Sequence, residues 1–115
     1  MEAKVRQADI GTLEQLYILR RRSEVIKFLV DNPFLFPFLQ EAYRQIRNYF
    51  GESVQLVLEV VTDPEVAGDR ELVIFIRTNL SPDEAFKKLK QLGEEWWLDA
   101  PFNVREKLCI GVEFE

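Results

Sequence analysis

The sequence predicts an α+β two-layer domain of topology ααββαβ, in which helices cover one face of a three-stranded antiparallel sheet. Three observations carry this. Segments 54–61, 71–78 and 108–114 alternate apolar and polar residues with the two-residue period of a half-buried strand. Segments 37–50 and 82–97 gather their apolar residues on one arc of a helical wheel. The 115 residues suffice for one hydrophobic core and fall short of two domains.

Taken in order, Thr12-Leu13-Glu14-Gln15 has capping-box spacing and predicts a helix start. The apolar residues that follow change phase. Leu13, Leu16, Tyr17 and Leu19 lie on one side of the wheel, and Val25, Ile26, Phe28 and Leu29 on nearly the opposite side. Either the helix breaks between Arg20 and Ser23, with Ser23 capping a new one, or it continues and needs apolar partners on two sides. The chain accordingly divides into an N-terminal helical arm, 1–23, suited to oligomerisation, and a single α+β domain, 24–115.

Asn32-Pro33 ends this segment, because the residue before a proline is pushed out of helical geometry. Pro37 suits the first turn of the next helix, which carries Leu39, Ala42, Tyr43, Ile46, Tyr49 and Phe50 on one arc and stops at Gly51. The first two strand segments are joined by the polar connection 62–70, a hairpin loop. Ser81-Pro82-Asp83-Glu84 supplies an N-cap serine, a proline at N1 and a capping-box acid. Carried through Gly93, the helix keeps Ala85, Phe86, Leu89, Leu92, Trp96 and Trp97 on one arc, so it is expected to run to about Trp97, with Gly93 at a close helix-sheet approach. A right-handed crossover then brings the last strand beside the first, giving sheet order 2-1-3.

On the function side, the chain has no histidine and one cysteine, Cys109. Zinc sites and histidine-assisted nucleophiles lack their usual residues, so no catalytic residue, metal ligand or cofactor is assigned. Cys109 sits in an apolar run and reads as a small core hydrophobe of a reducing compartment. The most apolar stretch, 25–39, is too short and too interrupted to span a bilayer, and no signal-peptide pattern precedes it, so a cytoplasmic protein is expected, with no membrane partner. The net charge of -5 disfavours extensive contact with nucleic-acid phosphates, and Arg20-Arg21-Arg22, the one basic run, reads as a solvated helix face.

Two groups of residues stand out. Glu94, Glu95, Trp96, Trp97 and Asp99 place three acids where a helix ends, although the partial negative charge there disfavours them. They are the candidate binding site, able to receive a partner's cation. A core role for both tryptophans, with Arg105 or Lys107 neutralising the acids, is the competing reading. The second group is Glu59, Arg77 and Glu113, which share the mixed sheet face with Val57, Val61, Val73, Phe75 and Cys109. Here Arg77 is expected to pair with one of the acids. The acidic hairpin residues Asp63, Glu65, Asp69 and Glu71 lack the spacing of a calcium loop and read as a solubilising turn.

The runs Asn32-Pro33-Phe34-Leu35, Glu41-Ala42-Tyr43, 59–64, 80–85, Glu94-Glu95-Trp96-Trp97-Leu98-Asp99 and Lys107-Leu108-Cys109-Ile110 resemble a family of small bacterial proteins, frequent in cyanobacteria. The resemblance covers residues 24–115 and implies no activity. The expected function is that of a non-enzymatic interaction or regulatory protein that self-associates as a homodimer and meets a further protein partner. The alternatives are a nucleic-acid-associated regulator using Arg20 to Arg22 and a carboxylate enzyme on the mixed sheet face.

Overall fold

In a computed structural model, which describes residues 7–62, 65 and 69–114, the chain runs α1 (Gln7–Leu16), β1 (Ile18–Leu19), α2 (Arg22–Asp31), α3 (Leu35–Phe50), β2 (Gln55–Thr62), β3 (Arg70–Thr78), α4 (Pro82–Glu95), a 3-10 turn (Trp97–Asp99), α5 (Phe102–Lys107) and β4 (Leu108–Phe114). The class is α+β, as expected. The sheet differs from expectation: among the described residues it has four strands in the order β1-β2-β3-β4 and is mixed.

β2 and β3 form the expected antiparallel hairpin, with Leu56 opposite Ile76, Leu58 opposite Ile74 and Val60 opposite Leu72. β4 lies parallel to β3, Leu72 opposite Leu108 and Ile74 opposite Ile110, and not beside β2 as the 2-1-3 order required. The reason is occupancy. The place beside β2 is taken by Ile18 and Leu19, which pair in parallel with Val57 and Leu58. The crossover through α4 therefore sets β4 down on the free side of β3.

The chain between α1 and α2 also settles the phase change. The helix breaks after Leu16, and Arg21, with φ 50°, is the one non-glycine residue at positive φ among the described residues. Ser23 lies inside the first turn of α2 and does not cap it; Arg21 holds the cap position. Thr12 is likewise no cap. It sits within α1, and its hydroxyl donates to the Ala8 carbonyl at 3.1 Å. Both apolar phases are satisfied inside one chain, since Leu13 and Tyr17 from the first and Val25, Phe28 and Leu29 from the second enter the same core. Tyr17 is anchored there by its hydroxyl, which donates to the Leu39 carbonyl of α3 at 2.6 Å, and burial pushes the phenol well above its ordinary pKa.

α3 keeps its predicted face: Leu35, Leu39, Ala42, Ile46 and Phe50 are buried, and Gly51 ends the helix at φ 86°, where glycine is favoured. α4 begins as predicted, with the Ser81 hydroxyl accepting from the Glu84 amide at 3.3 Å and Pro82 in the first turn. It ends earlier than predicted, at Glu95, because Trp96 leaves helical geometry at φ -138° and turns its ring onto Phe38 and Trp97. Gly93 marks no close approach, since a Cβ there would meet nothing within 4 Å. The short α5 was not predicted.

The covered sheet face is the alternation read from the sequence. Leu56, Leu58, Val60, Leu72, Ile74, Ile76 and Leu108 join the helical core, while Ile110 and Val112 on the outermost strand are only half-buried against it.

Candidate functional site

The opposite sheet face has no helix over it among the described residues, yet Val57 is fully buried and Val73 nearly so. Long charged side chains are tied together on it. Arg20 follows β1, held by its amide donating to the Leu58 carbonyl at 2.9 Å, and its guanidinium lies 5.7 Å from the centre of the Phe75 ring. Nη1 donates to Glu59 at 3.2 Å and to Glu113 at 2.8 Å, and Nη2 donates to the other Glu113 oxygen. Arg77 on β3 approaches Glu113 at 3.4 Å and donates to Gln55 at 3.2 Å. The arrangement ties the segment after β1 to β2 and β4 across the width of the sheet.

This brings together the three predicted residues Glu59, Arg77 and Glu113, with Arg77 pairing one acid as expected. The central member is Arg20, which sequence reasoning placed on a solvated helix face. Its partners lie 39 and 93 residues away, so no local spacing could show them. The other two arginines of the run are also engaged within the chain: Arg22 forms a fork with Glu14 at 2.9 and 3.0 Å, and Arg21 pairs with Glu24 at 3.9 Å.

The chemistry of this face is that of a structural ion-pair network. Hydrogen bonds from Arg20 hold the Glu113 carboxyl below its ordinary pKa, and the same bonds raise the pKa of Arg20. A general acid at neutral pH needs a raised carboxyl pKa in a concave site. Here the acid is depressed and lies on an open sheet surface. An open groove beside β1, lined by Glu14, Tyr17, Tyr43, Arg47 and Gln55 among others, also contains a carboxylate, but the Arg22 fork lowers the pKa of Glu14. Arg47 lies over the Tyr43 ring at 5.0 Å and donates to the Glu52 carbonyl at 2.9 Å.

Cys109 is not in the core. It belongs to the open face opposite Val73 and is exposed, and partial burial together with the Glu71 charge raises its thiol pKa. Among the described residues no group of three or more Cys, Asp or Glu side chains is placed to hold a metal ion. The hairpin acids fall partly outside the described residues, Asp63 among the excluded positions. Among the described residues no helix is long and apolar enough to cross a membrane.

At the end of α4, Trp96 and Trp97 are half-buried, Trp96 packing on Phe38 of α3 with ring centres 6.3 Å apart. Two of the three acids, Glu94 and Glu95, find partners, though not the basic residues expected, while Asp99 is exposed in the 3-10 turn. Glu95 accepts from the Tyr49 hydroxyl, which raises the pKa of that phenol, and from Gln91 at 3.2 Å. Glu94 stands 3.9 Å from Lys90, one turn earlier. Arg105 instead donates to the Ala100 carbonyl at 3.1 Å. Leu98 and Phe102, by contrast, face solvent.

A further exposed apolar fringe lies along β4. Phe114 and Phe86 of α4 meet edge-to-face with centres 5.9 Å apart, and 44% and 53% of their surfaces stay exposed. Among the described residues β4 has a strand neighbour on one side only. Compared with protein-family models, curated proteins and solved structures, the chain matches none.

Proposed function

We propose that the chain is a non-enzymatic interaction protein that self-associates, with Glu94, Glu95, Trp96, Trp97 and Asp99 as a contact for a further protein partner. One observation carries the self-association: the seven-residue strand β4 stands at the sheet edge with the Phe86–Phe114 fringe exposed beside it. Edge strands are commonly protected from pairing by a proline, a bulge, an inward charge or a covering segment. β4, Leu-Cys-Ile-Gly-Val-Glu-Phe, contains no proline or lysine, and its one charge, Glu113, is engaged by Arg20 and Arg77 on the sheet's open face.

The two-phase N-terminal segment no longer supports self-association, because both phases are buried within one chain. The intramolecular pairing of Arg20, Arg21 and Arg22 speaks against a phosphate-binding role, which would have to displace four carboxylates. Sedimentation velocity over a concentration series tests the proposal. A sedimentation coefficient that rises with concentration supports it, and a strict monomer at tens of micromolar overturns it.

A further inference from the structure

Resting on that reading of self-association, we infer that the partner at the β4 edge is a second copy of the same strand, paired antiparallel about a two-fold axis through Gly111. The pattern of β4 is palindromic about that glycine: Leu108, Ile110, Val112 and Phe114 alternate with Cys109, Gly111 and Glu113. In a two-fold antiparallel pair centred there, Ile110 meets Val112 of the second copy and Leu108 meets Phe114. Every apolar residue of the helix-covered face thus lies opposite another apolar residue. Half-buried Ile110 and Val112, with exposed Phe114 and Phe86, are the side chains that α4 leaves uncovered, and this pairing covers them.

Charge selects the same arrangement. Lys107 stands at the start of β4 and has no ion pair among the described residues, while Glu113 stands near its end. Antiparallel pairing sets the two Lys107 side chains at opposite ends of the paired strands, whereas a parallel pair would set them side by side, and Glu113 stays engaged by Arg20 and Arg77. At the axis, Gly111 presents no side chain to its own copy, and Phe75, opposite it on β3, flanks the gap. The result is a continuous eight-stranded sheet with both helical layers on one side, since the two-fold axis runs perpendicular to the sheet.

A single cysteine placed on the axis tests this register. Opposed residues of an antiparallel pair have Cα atoms about 4.5 to 5.5 Å apart, within the range a disulfide spans. Gly111→Cys is sterically allowed, because a Cβ there meets nothing within 4 Å. In a Cys109→Ser background, Gly111→Cys should form a disulfide-linked dimer under mild oxidation. The native Cys109 should not, because the two copies lie about 13 Å apart along the strand in this register. Asn48→Cys, exposed on α3, measures random collision.

Val112→Lys should abolish the dimer while leaving the circular dichroism spectrum intact, and Lys107→Glu should weaken it roughly tenfold. A wild-type dimer that Val112→Lys leaves intact, or in which Gly111→Cys crosslinks no faster than Asn48→Cys, overturns this interface and leaves self-association standing. Preferential crosslinking through native Cys109 overturns the register. A wild-type chain that stays monomeric overturns both the interface and the reading beneath it.

Discussion

The two faces of the sheet are built from alternating residues of the same strands, yet they exclude water by different means. On the covered face, Leu58 and Ile74 lie directly opposite each other and are buried under the helices. On the open face, Val57 is as completely buried, with no helix among the described residues sharing that face. Beside it on the same face stand Phe75 on the neighbouring strand and Ile18 on the other side, with Arg20 near the Phe75 ring, its guanidinium fixed by Glu59 and Glu113. An arginine can lay its aliphatic stem over apolar surface while its charged head stays hydrated. A sheet face can therefore be closed without a second layer, at the cost of ordering long side chains into ion pairs that solvent partly screens.

Truncation should separate the two mechanisms most widely. Leu58→Ala or Ile74→Ala removes atoms from a rigid helix-sheet core and should cost about 2 to 5 kcal/mol in urea denaturation. Val57→Ala, under side chains that can settle into the space, should cost about 1 to 2 kcal/mol. Equal losses at Val57 and Leu58 would show that the open face is packed as firmly as the covered one.

Much of this contrast could be read in advance, and the remainder has identifiable causes. Local signals were sufficient for Ser81-Pro82, for the α3 arc and for the alternation in all three long strands, because each is decided by residues a few positions apart. The two-residue β1 has no period of its own; it exists because Ile18 and Leu19 find the free edge of β2. Once β1 occupies that edge, β4 must take the other, so one missed strand accounts for the mistaken sheet order. α5 buries only Val104 and is too short to show a helical period. The site was half legible: Glu59, Arg77 and Glu113 share a face by alternation alone, but the choice of Arg20 as their bridge depends on the turn after β1.

Removing that bridge is the next test. Arg20→Ala should cost about 1 to 2 kcal/mol, a figure reduced for the partial exposure of the pairs. It should also raise the acid stability of the fold relative to its neutral stability. The folded state holds the Glu113 carboxyl below its ordinary pKa, so its contribution is present above the unfolded pKa and is lost as pH falls through the depressed folded value. Wild-type stability should therefore decline from about pH 5 downward, and Glu113→Gln should flatten that decline. An unchanged slope in Glu113→Gln would remove Glu113 from the acid response. Arg20 stays charged throughout this window because its pKa is shifted upward.

The smallest effect is expected at the end of α4, where charge again meets packing but in the opposite balance. On the open sheet face the charges pair with one another; around Trp96 and Trp97 the rings pack on Phe38 and on each other, and Glu94 and Glu95 reach Lys90, Gln91 and Tyr49. Trp96→Ala should be measurably destabilising through lost packing. The triple variant Glu94→Gln, Glu95→Gln, Asp99→Asn should denature within error of the wild type, because removing acids from a helix C-terminus relieves an unfavourable interaction while the Gln side chain at 95 still accepts a hydrogen bond from Tyr49. If the triple variant lost as much stability as Trp96→Ala, the Tyr49–Glu95 bond would be a principal tie between α3 and α4. The acids would then be explained by the fold alone, and the case for a partner contact at this segment would lapse.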